Sequence, residues 1–343
     1  MKVARYYSRD DIRLEEVPVP EIGSGEILVQ VEACGLCGSD LMEWYVKEKV
    51  RQLGAAVLGH EPVGIVTEMG SGVEACEVGD RVFVHHHVPC FTCHYCLRGN
   101  YTLCATFKGT HLDPGGFAEY VRVPRLNVER DVLKIPPGLP FDEATLIEPV
   151  ATCIRGIERA AIQTGDTVIV IGAGVTGLIH LQLARLYGAG KVIITDFSDF
   201  RLEMARQLGA DLAIDAQQDV LAALQDANEG RGADVVIVTA GSIQAMKQGM
   251  ALAGGGATVL LFAPSAPGVD LPVSPHRLLF SEITIVSSYS CAPAETRQAL
   301  KLIQLGRIRV RELITHRFDL AGVGEAIRLA VQAGESAKIL ITP

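Results

Sequence analysis

Four cysteines crowd into "PCFTCHYCLRGNYTLC", at Cys90, Cys93, Cys96 and Cys104. The pattern C-x2-C-x2-C-x7-C lets four thiolates converge on one ion at about 2.3 Å each, the bond length of tetrahedral zinc. Iron–sulfur clusters also use closely spaced thiolates, but nothing in the chain supplies an electron route, and a structural zinc is the expected occupant. Residues 85–115 are polar, rich in Cys and His and nearly without periodicity. They read as a lobe held by an ion in place of a core.

A second constellation is dispersed. Cys37, His60, Glu61 and Glu148 lie at the edges of β-like segments or near a domain boundary. One sulfur, one imidazole and one or two carboxylates make a catalytic zinc site with a position left open for a substrate oxygen. Spacing alone does not bring them together. Cys37 also reads as a packed thiol, His60–Glu61 as a surface pair before Pro62, and Glu148 as a favourable charge at a helix N-terminus.

The third is "TVIVIGAGVTGLIHLQLARLYGAGKVIITD". An apolar run stops at Gly172, Gly174 and Gly177; apolar residues at helical spacing follow from Val175 to Tyr187; a second apolar run ends at Asp196. Strand, glycine turn, helix, strand and acid, in that order, form the signature of a dinucleotide site. Gly172 makes the tight turn, Gly174 admits the pyrophosphate, and Gly177 lets the helix pack on the sheet. The helix N-terminus at Val175 faces the phosphate charge. Asp196 accepts from the ribose hydroxyls and repels a 2′-phosphate, so the expected cofactor is NAD. Arg201, five residues on, is the one nearby cation that bears on this choice.

The elements that must position these residues fall into two kinds. Residues 1–150 are β-rich with long loops, "EILVQVEACG" alternating apolar and polar positions and prolines and glycines punctuating the runs. From 151 to 286 short apolar strands alternate with helices, the pattern of a parallel sheet covered on both faces. The tail, 287–343, holds two helical patterns and closes with "AKILIT", a strand expected to return to the first domain.

The chain of 343 residues is long enough for two cores, and 48% hydrophobic with 21% charged residues is an ordinary globular composition. A net charge of −9 argues against general binding to nucleic acid or an anionic membrane. The N-terminal stretch lacks an apolar signal region, so a cytoplasmic location is expected. Cys34, Cys76, Cys153 and Cys291 read as packed thiols. His85, His86 and His87 would alternate faces in an extended strand and so would not chelate one ion.

Several motifs in order, "GLCGSD" (35–40), "GHEPVGIV" (59–66), the four-cysteine lobe, "GGFAEYV" (115–121), "EPVATC" (148–153) and "GAGVTG" (172–177), give a resemblance over nearly the whole chain. The chain resembles the medium-chain zinc-dependent alcohol dehydrogenases, in the branch of sorbitol, other polyol and threonine dehydrogenases. The resemblance implies a GroES-like β-rich catalytic domain, a Rossmann NAD-binding domain with a doubly wound parallel sheet, two zinc ions per chain, and homodimers or homotetramers. It implies that Cys37 and His60 bind the catalytic zinc, that Glu61 ligates it or exchanges onto it, and that Glu148 binds it directly or through water. Ser39 matches the hydroxyl that hydrogen-bonds the substrate oxygen and begins a proton relay. Arg201 matches a basic residue that packs on adenine or pairs with the acid.

One place departs from the resemblance. The branch carries a histidine two positions after the aspartate of "CGSD"; here Met42 stands there, and a thioether moves no proton. The expected reaction is reversible oxidation of a secondary alcohol, in a polyol or sugar-like substrate, with NAD. The alternatives are an L-threonine or amino-alcohol dehydrogenase, a zinc-free quinone or enone reductase, and a nucleotide-binding protein without turnover.

Overall fold

The strand Thr167–Ile171 is buried along its whole length. Its sequence, TVIVI, is β-branched at every position, which suits a strand covered on both faces. It lies at the centre of a six-stranded, all-parallel sheet. In spatial order the strands are Leu212–Asp215, Lys191–Asp196, Thr167–Ile171, Ala233–Val238, Ala253–Leu261 and Thr284–Ser287. Counted along the chain this is 3-2-1-4-5-6, the doubly wound order whose reversal beside the first strand creates a nucleotide crevice. Helices Val175–Leu186, Asp199–Gln207, Val220–Ala227 and Ile243–Leu252 connect the strands. The apolar core includes Ile169, Ile193, Val236, Val259 and Leu224.

The structure, a computed structural model, describes residues 1–332 and 334–343. Two compact units partition the chain. One comprises Met1–Ala151, Cys291–Gly306 and Ile314–Pro343; the other comprises Thr152–Ser290 and Arg307–Leu313. The division falls inside the helix Ile147–Ala160.

The first unit is built on a seven-stranded sheet. Its long strand Ile27–Leu36 pairs antiparallel with Glu61–Met69, Tyr120–Val123 and the late strand Lys338–Ile341. Register matters here: Gly35 lies opposite Glu61 on one side and Leu340 on the other. A Cβ on Gly35 would sit 1.8 Å from Glu61 Oε2 and 2.6 Å from Lys338 Cε, so only glycine fits. The expected fold class, a β-rich domain plus a doubly wound parallel sheet, is therefore what the chain forms.

Two local readings change. The strand Arg81–Val84 stops just before the three histidines, which are not extended β-structure. A helix, Glu43–Leu53, follows the "CGSD" segment; its polar face is laced by Glu43–Lys47 and Glu48–Arg51 pairs. Among the described residues no helix is long and apolar enough to cross a membrane.

Candidate active site

The cysteine lobe is made of very short pieces: a helix His94–Leu97, a 3-10 turn Tyr101–Leu103 and a helix Ala105–Gly109. Its buried apolar cluster is small, Phe107 with a half-buried Tyr101 packed on the cysteines, while Phe91, Tyr95, Leu97 and Leu103 are exposed. The sulfurs of Cys90, Cys93, Cys96 and Cys104 lie within 4.8 Å of one another. Cys90 and Cys96 Sγ are 3.9 Å apart. A tetrahedron with bonds of about 2.3 Å has edges of about 3.8 Å, so the spacing already fits zinc. Amides point at the sulfurs: Thr92 N–H and Cys93 N–H donate to Cys90 Sγ at 3.4 and 3.2 Å, and the Thr92 hydroxyl adds a third bond at 3.5 Å. Chiefly through Thr92, these bonds pull the Cys90 thiol down to about 5. Burial instead pushes Cys96 up to about 12. The lobe thus favours charge on Cys90 and opposes it on Cys96, and a bound cation would offset the cost of that charge.

The dispersed group assembles from three places in the first unit. Cys37 ends the long strand and starts the 3-10 turn Gly38–Leu41. His60 and Glu61 stand at the start of the neighbouring strand. Donor atoms of Cys37, His60 and Glu61 lie within 4.8 Å of one another. Asp40 holds this corner: its carboxylate accepts the Cys37 N–H at 3.1 Å and faces His60 Nδ1 at 3.5 Å. Burial opposes a charge on His60, yet Asp40 and the Cys37 sulfur outweigh it and push the imidazole pKa well up. The site thus favours positive charge, which a proton or a metal ion can supply.

Glu61 is 0% exposed, and its Oε2 is paired with the ammonium of Lys338, itself 1% exposed. Lys338 also donates to Leu36 O at 3.1 Å. Burial would depress the lysine, but Glu61 overrides it and raises its pKa. The second oxygen, Oε1, is buried with no hydrogen-bond partner. A buried carboxylate oxygen left bare beside a thiol and an imidazole fits a zinc ion.

Glu148 lies in the first turn of its helix, 4% exposed. Burial raises its carboxyl pKa; His60 lowers it and Glu61 raises it, so it feels both residues. It is not grouped with Cys37, His60 and Glu61, however, but with His85 and Cys291. Ser39 is half-buried on the same 3-10 turn as Asp40. Met42 follows, also half-buried, and Glu43 is engaged with Arg9 and Lys47.

In the second unit each glycine of the turn has its own reason. Gly172 has φ of +99°, which disfavours any side chain. A Cβ on Gly177 would lie 1.8 Å from Gly172 O, so helix and strand meet backbone to backbone. Gly174, the N-cap of the helix beginning at Val175, would meet nothing within 4 Å. Packing does not demand glycine there, and the open space fits the close approach of a dinucleotide's pyrophosphate. Asp196 ends the next strand, with Oδ2 accepting Ala173 N–H at 2.7 Å and Oδ1 accepting Ser198 N–H at 2.9 Å. Both amides fix the carboxylate's direction. Phe197 beside it is exposed, and Arg201 is half-buried with its N–H bonded to Ser198 Oγ.

Sequence reasoning missed Lys338, Asp40 and the Cys291–His85 contact. A lysine in the otherwise apolar "AKILIT" was the available signal for the first, and "GLCGSD" contained the second.

Comparison with known proteins agrees with this geometry. The alcohol dehydrogenase GroES-like domain profile matches residues 23–137, and the zinc-binding dehydrogenase profile matches 175–304. A sorbitol dehydrogenase of Bacillus subtilis is 32% identical, covering 100% of this chain and 97% of its own. An L-threonine 3-dehydrogenase of Pyrococcus abyssi is 34% identical over 95% of this chain and 94% of its own. Among solved structures, a protein described as a short chain alcohol dehydrogenase from E. coli CFT073, complexed with NADH, superposes with a TM-score of 0.87 at 31% identity, covering 100% of this chain and 99% of that one.

Proposed function

The chain belongs to the zinc-binding medium-chain dehydrogenases and is an oxidoreductase of that family; from this premise we propose that it oxidises a secondary alcohol of a polyol or sugar-like substrate reversibly, with NAD. The observation that carries the reading is the bare Oε1 of Glu61 beside Cys37 and His60, in a chain whose nucleotide turn leaves Gly174 open. Residues 1–150 with the tail 287–343 serve metal and substrate in this reading, and 151–286 serve the nucleotide. The family's relatives act as oligomers in the expectation carried from the sequence, and a homodimer or homotetramer is proposed.

Cys37, His60 and Glu61 would hold the catalytic zinc, and Glu148 is proposed to reach it through water, given its place in the neighbouring group. Cys90, Cys93, Cys96 and Cys104 would hold the structural zinc. A bound zinc supplies a Lewis acid that makes an alcohol easier to deprotonate, and NAD supplies the hydride acceptor. Asp40 orients His60 and fixes the start of the turn that carries Ser39. Ser39 Oγ binds the substrate hydroxyl and passes its proton outward. Met42 ends any relay along this segment, so the proton leaves through water at the half-buried edge of Ser39. Gly174 and Val175 would hold the pyrophosphate, with Gly172 and Gly177 shaping the turn that lets it approach; Asp196 would hold the ribose hydroxyls, and Arg201 would pack on the adenine or pair with that acid.

L-threonine is the second reading, favoured by the Pyrococcus relative. It needs an anionic partner for the substrate ammonium. Glu43, just past Met42, is already paired with Arg9 and Lys47, which weighs toward the uncharged polyol.

The test is a panel of polyols, inositols, sugars, amino alcohols and simple secondary alcohols, read by NADH absorbance. A polyol should give the highest kcat/KM, with NAD preferred over NADP by at least about tenfold, roughly 1.4 kcal/mol. The preference should narrow in Asp196→Ala. Preferred turnover of L-threonine would establish the second reading, and a wild-type preference for NADP would transfer control of the pocket to Arg201.

A further inference from the structure

We propose that His85, Glu148 and Cys291 form an additional site for a divalent cation of the zinc class, separate from the Cys37–His60–Glu61 group and from the cysteine lobe. One ligand atom from each of the three lies within 4.8 Å of the other two. His85 and Cys291 are 0% exposed, and Glu148 nearly so. They come from three distant places in one compact unit: the end of the strand Arg81–Val84, the first turn of the helix at Ile147, and the residue before the Ala292 cap of the helix Pro293–Gln304.

The outer partners decide between a packed polar cluster and a cation site. His85 Nδ1 lies 2.8 Å from Asp131 Oδ2. A carboxylate only accepts, so Nδ1 donates this bond, and the neutral ring then presents its lone pair on Nε2, 3.5 Å from Cys291 Sγ. Asp131 is fully buried and is itself fixed by Thr296 Oγ1 at 2.9 and 3.0 Å and by Arg297 Nη1 at 3.0 Å. The backbone pins the same histidine: its N–H donates to Asp131 O at 3.2 Å, and Asn127 Nδ2 donates to its carbonyl at 2.8 Å. A buried carboxylate that fixes the tautomer of an imidazole is the usual support of a metal-ligating histidine.

The donor set identifies the ion. Nitrogen, sulfur and one carboxylate oxygen suit zinc and its borderline neighbours, whereas calcium and magnesium require oxygen donors throughout. Two rival uses fit less well. A thiol–imidazole hydrogen bond alone leaves the buried Glu148 carboxylate, within reach of both groups, without a part in the cluster. Thiol, imidazole and carboxylate in line also describe an activated nucleophile, but Cys291 is sealed from solvent and Glu148 beside it opposes an uncompensated thiolate.

The experiment uses the full chain, stripped of metal and reloaded with Zn2+ or, for spectroscopy, Co2+. Wild type should hold three zinc ions. Cys291→Ser and His85→Asn should each hold two, and Cys291→Ser should lose one component of the thiolate-to-cobalt charge-transfer absorption. Asp131→Asn should raise the Kd of the third ion by about ten- to a hundredfold while keeping the other two; it carries the test if Cys291→Ser fails to fold. His60→Ala must leave the third ion in place. Two ions in both wild type and Cys291→Ser would overturn the proposal, as would a third ion that persists in Cys291→Ser. Loss of one and the same ion in both Cys291→Ser and His60→Ala would mean a single shared ion and would also overturn it. Two ions in wild type, one lost in Cys291→Ser and none in His60→Ala, would support this site and sink the proposed catalytic one.

Discussion

The cysteine lobe and the Cys37–His60–Glu61 group each present donors ready for an ion, but they hold them by opposite means. In the lobe Cys90 and Cys104 are 14 residues apart, and turns too short to form a core aim backbone amides at the sulfurs. In the dispersed group the donors are fixed by sheet register, by Gly35 yielding its side-chain volume, and by a lysine 277 residues from its partner. In the proposed reading the lobe would use an ion in place of a core. The dispersed group uses a finished core to leave one carboxylate oxygen bare. A site of the first kind depends on metal for its shape; a site of the second kind has its shape before metal arrives.

The largest effect that would break this contrast comes from His60→Ala. Hydride transfer should fall about a thousandfold or more, roughly 4 kcal/mol in the barrier. NADH binding, followed by fluorescence, and the zinc of the lobe should remain. Full activity in this variant would remove the catalytic assignment altogether.

Next in size is Lys338→Met, which leaves Glu61 buried without its counter-charge. Metal-free protein should lose about 3–5 kcal/mol of unfolding free energy in urea. Zinc should restore part of this, because it brings positive charge to the same carboxylate. The double variant Glu61→Gln/Lys338→Met should recover most of the loss. Equal loss with and without zinc would show that Glu61 does not face an ion.

Cys93→Ser sharpens the comparison from the other side. One zinc per chain should disappear by elemental analysis, and the melting temperature should fall by several degrees while the catalytic ion is kept at first. An unchanged metal content would end the structural-zinc assignment.

The smallest effect expected is from Thr92→Ala. Its hydroxyl and amide hold the Cys90 thiol near 5. Losing the hydroxyl bond raises that pKa, so protons compete with zinc at a higher pH. The midpoint for acid release of zinc from the lobe should move upward by a fraction of a pH unit; a downward move would contradict the hydrogen-bond argument.

What the sequence made legible follows the same division. Glycine spacing, β-branched runs and the acid at Asp196 announced the parallel sheet, because each depends on neighbours within about thirty residues. The cysteine spacing announced the lobe for the same reason. Lys338 was illegible as a partner of Glu61, because only the pairing of Ile27–Leu36 with both neighbours sets them side by side. Cys291 looked like a packed thiol, and it is buried, but its contact with His85 depends on where a segment 206 residues away returns. Met42 stood out as a departure from a motif. The helix that follows it did not: Val46 and Val50 pack on the core, but the ion-paired residues around them dilute so short a stripe.

The 277 residues between Glu61 and Lys338 also set an order in time. At about 5–20 residues per second, the ribosome adds Lys338 roughly 14–55 s after Glu61. The lobe's last cysteine follows its first within about 3 s at the same rates. During that interval a nascent chain carries a complete four-sulfur claw while Glu61 still lacks its ammonium. Zinc present during synthesis is therefore expected to enter the lobe first, and the ion meant for chemistry to arrive only after the late strand has closed against Gly35.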